Sequence, residues 1–286
     1  MTIFERVREH YDEALTHFTE DQVVGIFLQG SQNYGLDTPQ SDVDTKLIVV
    51  PSFKDIAMNR KPVSTTHIRA NDEHTDWKDI RLYIQTFRKQ NLNFLEILYT
   101  DFAIVNPIYE KQWNRLIQAR ERITHFNPYR SVQSIKGIAL EKYHAMEHEY
   151  PSKVEVLKKY GYDPKQLHHL VRVEDYLGRY IAGESYESCL NPGPFKQELI
   201  EIKMGKYSLA EARIVADKSK AHVEEMAEYA YSIYPNKEDA EVNALLDDVQ
   251  YEIMKLAVER ELNKRWLRIG SWLEIHMGEL WSAFRR

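Results

Sequence analysis

Ile3, Val7, Tyr11, Leu15 and Phe18 recur every three to four residues, the spacing of an amphipathic helix that leads into the first apolar run of the chain. That run, Val23 to Leu28, is continuously apolar and stops at Gly30, which predicts a short buried strand followed by a turn. Asp37-Thr-Pro-Gln has turn chemistry, and Val43 to Val50 supplies a second strand closed by Pro51. Ser52 to Asp72 reads as polar and irregular. His74 to Trp77 is a third strand signal, short and charged, followed by a helix with Ile80, Tyr83, Ile84 and Phe87 inward.

From about Pro128 the strand signals vanish and helical periods take over. Leu167, Leu170, Val171, Leu177 and Ile181 give one apolar face, Leu199 and Ile202 a second, and Leu245, Val249, Ile253 and Leu256 a third. Asn191-Pro-Gly-Pro and Tyr234-Pro-Asn break this half, and Phe126-Asn-Pro marks the expected boundary between residues 1–126 and 127–286. The expected fold class is therefore an α/β (α+β) domain followed by an all-helical C-terminal domain.

At 286 residues and 43% hydrophobic, the chain has room for two modest cores. A net charge of −6 argues against a protein that coats nucleic acid electrostatically, so a polynucleotide partner must be held by a local patch. Cys189 is the single cysteine, which excludes internal disulfides. No apolar run has the length of a signal peptide or a membrane span, so the cytoplasm is the expected address, with no membrane partner.

The candidate chemistry lies where the first two strands end and begin. Gly30 lets the backbone approach a phosphate with no Cβ in the way, the amides after it form a natural anion site, and Ser31 adds a hydroxyl. Eleven residues on, Ser41-Asp-Val-Asp44 places two carboxylates on one strand face, with Cα atoms about 6.5–7 Å apart. Two such carboxylates can converge on one cation or two, and a third from a neighbouring strand completes a two-metal phosphoryl-transfer site. Asp76 is the candidate, with Asp79 in reserve. Either motif alone is usually a plain turn or a solvated pair; their joint occurrence after successive strands gives the functional reading its weight.

Gly30-Ser-Gln-Asn-Tyr-Gly35 followed by Ser41-Asp-Val-Asp44 resembles the signature of the DNA polymerase beta-like nucleotidyltransferase superfamily, in its minimal branch. Asp79-Ile-Arg and Asn91-Leu-Asn-Phe-Leu-Glu96 narrow the resemblance to an RNA-ligase-associated, polymerase beta-like family. His168-His-Leu-Val-Arg172, Leu199 to Gly205 and Ser208-Leu-Ala-Glu extend it over roughly residues 22 to 215. The resemblance implies a small mixed sheet with helices on one side. It also implies triphosphate on Gly30 and Ser31, Mg2+ or Mn2+ on Asp42 and Asp44, and a third acidic ligand near the start of the Arg81 helix, which agrees with Asp76. Two positions depart from the pattern. Leu92 stands where proline is common, and Lys46 where a small or apolar residue is usual; Lys46 is expected to contact phosphate or to ion-pair with the third carboxylate.

On the predicted helix near 165–181, Lys165, His169, Arg172, Tyr176 and Arg179 share one face opposite the leucines. A basic stripe with an aromatic inside it suits nucleotide or single-stranded RNA, and its bland alternative is a solvated face. His169 and Arg172, inside the resemblance, join Gly30, Ser31 and Lys46 as expected nucleotide-binding residues. The expected function is transfer of a nucleoside monophosphate from a nucleoside triphosphate to an acceptor hydroxyl, with an RNA 3′ end as the acceptor. Attachment of AMP to protein, synthesis of a small nucleotide signal, or a non-catalytic nucleotide- or RNA-binding module are the alternatives.

Overall fold

The computed structural model describes residues 2–38 and 41–284, with side chains through residue 264 and at Trp266. The first helix, α1 (Ile3–Ala14), is held at its start by a reciprocal cap: the Thr2 hydroxyl accepts the Glu5 N–H and the Glu5 carboxylate accepts the Thr2 N–H. Five strands follow, β1 (Val23–Gln29), β2 (Asp44–Val49), β3 (Ser64–Ile68), β4 (His74–Asp79) and β5 (Ala103–Val105). They form one sheet in the order β3-β4-β2-β1-β5. β2 and β4 run parallel and all other neighbours antiparallel, so the sheet is mixed as expected.

The polar stretch from Ser52 to Asp72 is not irregular. It holds a short helix, α2 (Phe53–Ala57), and the edge strand β3. β3 (Ser-Thr-Thr-His-Ile) pairs with β4 alone and leaves most of its side chains in water, so it has no apolar face to give it away, although its threonines favour extended backbone. β5, three residues long, is too short for a period.

Helices cover both faces of the sheet, where the resemblance implied one. On one face Val7, Tyr11 and Ala14 of α1 pack with Ile26, Leu28, Leu47 and Trp77. On the other, Val24, Phe27 and Ile48 meet α3 (Ile80–Arg88) through Ile80, Tyr83, Ile84 and Phe87, the face expected to point inward. Burial on both sides explains why β1 reads as an unbroken apolar run.

α4 (Leu92–Leu95) precedes β5, and every element after β5 is helical: α5 (Glu110–Gln118), α6 (Arg120–Thr124), α7 (Pro128–Ala145), α8 (Val154–Tyr160), α9 (Pro164–Ile181), α10 (Tyr186–Leu190), α11 (Lys196–Lys203), α12 (Leu209–Ile233) and α13 (Ala240–Phe284). The two Pro-bearing breaks separate α10 from α11 and α12 from α13. One cluster of buried side chains continues from Val24 and Phe27 through Leu167, Leu170 and Leu177 of α9 to Val249 and Ile253 of α13. α13 returns to the sheet half through Arg88–Asp247 and Arg115–Asp248 ion pairs, both 2.5 Å, and through Arg260 and Lys264 on Asp21. Among the described residues, no helix is long and apolar enough to cross a membrane.

A buried polar seam lies between α1 and the sheet. The Glu73 carboxylate, 2% exposed, meets His10 Nε2 at 2.9 Å, Arg69 at 3.3 Å and Arg6, and it accepts the Val43 N–H at 3.2 Å. His10 Nδ1 in turn contacts the Thr45 and Thr75 hydroxyls at 2.9 and 3.1 Å. Burial, with Arg69 nearby, pushes the His10 imidazole down to about 4. The seam therefore fixes the backbone between Asp42 and Asp44. Removing Glu73 takes the carboxylate from Arg6, from His10 and from the Val43 N–H, while Arg69 keeps Glu13, so Glu73→Ala is expected to cost about 3–5 kcal/mol in urea unfolding. A cost under about 1 kcal/mol, the surface ion-pair range, would show that the seam is not what holds this backbone.

Candidate active site

β1 delivers the chain into Gly30, whose φ of +89° and ψ of −156° are accessible in practice to glycine alone. A Cβ there would meet nothing within 4 Å, so glycine is required by the backbone and the space beside it is open. A single 3-10 turn, Ser31–Tyr34, follows. Asn33 Nδ2 donates to Leu28 O at 3.0 Å, pinning the turn to β1, and Gln32 Nε2 donates to Asp42 O at 3.1 Å, tying it to the acidic segment.

β2 begins at Asp44, opposite Gln29 of β1, so Asp42 lies just before the ladder rather than on the strand face expected to carry both aspartates. Asp44 and Lys46, two residues apart, project from one face, and the parallel register sets Lys46 directly beside Asp76. Asp44 Oδ1 accepts the His74 N–H at 3.0 Å. Asp76 Oδ1 accepts the Thr66 hydroxyl at 2.7 Å, and Oδ2 accepts from Lys46 Nζ at 3.3 Å. Of the two roles expected for Lys46, the ion pair with this carboxylate is the contact present. The lysine is 3% exposed, with its ammonium 4.3 Å from the Phe94 ring centre; burial pushes it below the ordinary lysine range and Asp76 opposes the shift. Asp79 is buried elsewhere: it caps α3 and clasps the Arg81 guanidinium at 2.9 and 2.7 Å.

Gly30, Ser31, Asp42, Asp44, Lys46 and Asp76 line one cavity of about 540 Å³. Its opposite wall is basic and comes from three helices: Lys142 of α7, Lys165, His169 and Arg172 of α9, and Lys203 of α11. The expected stripe on α9 is therefore split. Its first three members face the cavity. Tyr176 is buried in the core, and Arg179 is occupied by Glu184, Asp175 and the Asn191 carbonyl. Tyr176 cannot stack a base from solvent, because the residues after Arg172 turn into packing between helices. A larger cavity of about 800 Å³, bounded by Glu174, Glu198, Lys218 and His222 among others, takes Arg179 from the expected stripe and none of the other residues singled out for nucleotide chemistry.

Arg172 stacks its guanidinium 3.8 Å from the centre of the Tyr34 ring, joining the helical wall to the glycine turn. Burial, helped by His168 and Arg172, pushes the His169 imidazole well below its ordinary range, so the neutral ring faces the cavity. Lys203 Nζ donates to Leu36 O at 2.9 Å and to Ser41 Oγ at 3.3 Å, anchoring the end of the glycine turn and the start of the acidic segment. Glu96, 8% exposed, accepts the Gly30 N–H and faces Arg172; burial drives its carboxyl up to about 7 against the pull of both. Sequence reasoning assigned no role to Lys142, Lys203 or Glu96. Lys203 and Glu96 do fall inside the segments that carried the family resemblance.

Among the described residues, no three metal-ligating side chains are already gathered around one point. No hydrogen bond or ion pair within the described residues engages the Asp42 carboxylate, and Asp44 keeps Oδ2 free, whereas Asp76 uses both oxygens. Carboxylate oxygens facing open space suit a hard divalent cation such as Mg2+ or Mn2+ at Asp42 and Asp44.

The family model described as "RNA repair pathway DNA polymerase beta family" matches residues 7–248. None of the curated proteins matches the sequence. Among solved structures, a nucleotidyltransferase-like protein from Exiguobacterium sibiricum aligns over 80% of this chain and 75% of its own, at 12% identity and a TM-score of 0.28.

The shift at Glu96 has a definite sign. Its carboxyl titrates near 7 in the fold against an ordinary 4.5, so folding favours the protonated form. That contribution is complete below about pH 4.5 and is lost as pH rises through 7. Compared with Glu96→Gln, the wild-type chain should lose a few kcal/mol of additional stability between pH 5 and 8 in urea titrations at each pH. Parallel stability curves for the two proteins would remove burial as the governing influence on this carboxyl.

Proposed function

The chain belongs to the RNA repair pathway DNA polymerase beta family, and from that premise we propose that it is a metal-dependent nucleotidyltransferase that moves a nucleoside monophosphate from a nucleoside triphosphate onto the 3′ hydroxyl of an RNA. The observation that carries this reading is a single cavity in which an open glycine turn, the Asp42 and Asp44 carboxylates, and a cationic wall from α7, α9 and α11 face one another.

Each part has a task. The backbone amides at Gly30 and Ser31, with the Ser31 hydroxyl, receive the triphosphate oxygens. Lys203 and Arg172 offset charge on the departing pyrophosphate from the helical side. Asp42 and Asp44 hold a divalent ion, which when bound polarises the phosphoryl group and lowers the proton affinity of the attacking hydroxyl. The acceptor oxygen bonds to the α-phosphorus while the bond to pyrophosphate breaks. An RNA end is favoured as acceptor because the family is tied to RNA repair and because Lys142 and Lys165 add further positive charge to the same wall.

Incubation with each labelled triphosphate, Mg2+ or Mn2+, and RNA is expected to place label on RNA 3′ ends. Asp42→Asn and Asp44→Asn should each lower the rate by about 100-fold or more while the fold persists. Undiminished labelling by both variants would end the metal-site proposal. Label on protein rather than RNA would keep the chemistry and discard the acceptor.

A further inference from the structure

We infer that Lys46 is a resident cation of the site, supplying the positive charge that a second divalent ion would otherwise bring, so that the carboxylates take one divalent ion, on Asp42 and Asp44. The inference rests on the nucleotidyl-transfer reading above and specifies its metal site.

Three observations carry it. First, the pairing is set by the backbone: Lys46 and Asp76 are partners in the parallel ladder between β2 and β4, so their side chains leave the sheet on the same face as neighbours. No rotamer of either residue alone separates the two positions. Second, the ammonium is held in place. It is 3% exposed, with Asp76 Oδ2 at 3.3 Å and the face of Phe94 at 4.3 Å, and withdrawing the carboxylate would leave a buried charge without a partner. Third, both oxygens of Asp76 are already engaged, Oδ1 by the Thr66 hydroxyl at 2.7 Å and Oδ2 by Lys46.

Asp42 and Asp44 differ on each count. They sit where β2 begins, they face the glycine turn, and three of their four carboxylate oxygens carry no hydrogen bond among the described residues. A divalent ion of the magnesium type needs oxygens that can close to about 2.0–2.1 Å in octahedral array. This pair can supply them; Asp76 can do so only by expelling Lys46. In an ordinary two-metal arrangement the third carboxylate serves an ion about 3.5–4 Å from the first. Here an ammonium fixed by strand register already neutralises that carboxylate. Asp76 and Lys46 then act as positioning residues that hold charge beside the reacting groups.

The test counts ions rather than turnover. Wild-type protein is dialysed to equilibrium in saturating Mn2+ with the α,β-methylene analogues of the four ribonucleoside triphosphates on both sides, then frozen for electron paramagnetic resonance. One Mn2+ per chain with an isolated-ion spectrum is expected. Asp76→Asn should keep that count and its affinity, whereas Lys46→Met should admit a second ion and give the spectrum of a coupled pair. Two ions on the wild type, a tenfold weaker affinity in Asp76→Asn, or a folded Lys46→Met that still takes one would each overturn the inference and leave nucleotidyl transfer intact. No bound Mn2+ on the wild type would overturn both. Should Lys46→Met fail to fold, the wild-type count and Asp76→Asn still decide the matter.

Discussion

Parallel pairing of β2 with β4 is the constraint on which the rest of this site depends. The other neighbouring strands are antiparallel, and antiparallel pairing here would carry the His74 end of β4 away from Asp44. Because the two strands run together, Asp44 and His74 fall at one end, Lys46 stands beside Asp76, and Asp79 is carried away to cap the next helix. The opposite face of the same two strands holds Thr45, Thr75 and His10 over Glu73, a polar seam that adds specificity to the pairing where an apolar contact could slip. One strand pair thus has a chemical face and a locking face, and neither can shift register without the other.

How much of this was legible in the sequence follows from what each segment does with water. β1 and β2, buried on both sides, announced themselves as apolar runs, and Gly30-Ser31 and Asp42-x-Asp44 could be read because turns and paired acids interrupt such runs visibly. Asp76 was reachable by its place in a strand-like segment. β3 escaped because an edge strand that leaves its side chains in solvent has no burial pattern. α1 was found as a helix, but the face of the sheet it covers is a long-range fact that a local period does not carry. The stripe on α9 shows the opposite error: spacing placed five residues on one side, and that side runs from an open cavity at Lys165 into packed core at Tyr176. Periodicity gives direction around a helix and says nothing about what lies opposite at each turn. Lys142 and Lys203 were invisible for the same reason, being ordinary surface lysines until the helices that carry them meet the sheet.

The site also reconciles an acidic chain with the anionic substrate proposed for it. A net charge of −6 would repel triphosphate and RNA alike if it were spread evenly. The cations that matter are concentrated on one wall, and Arg172, Lys165 and Lys203 reach it without a carboxylate ion-pair partner among the described residues, whereas surface arginines such as Arg88, Arg115 and Arg122 are paired away on α13 and its approach. One wall of the cavity is therefore positive in a chain that is negative overall.

The hydrogen bonds from Lys203 to Leu36 O and Ser41 Oγ also set an order of events during synthesis. The residues they join are more than 160 positions apart, so a chain leaving the ribosome presents the glycine turn and the acidic segment long before the lysine that anchors them exists. Domains emerge from the amino end at about 5–20 residues per second, which leaves the sheet half without its basic wall for several seconds or more. Over that interval the growing polypeptide holds the glycine turn and the acidic segment and lacks the helix that completes the pocket. The cavity therefore closes only after α11 has been made.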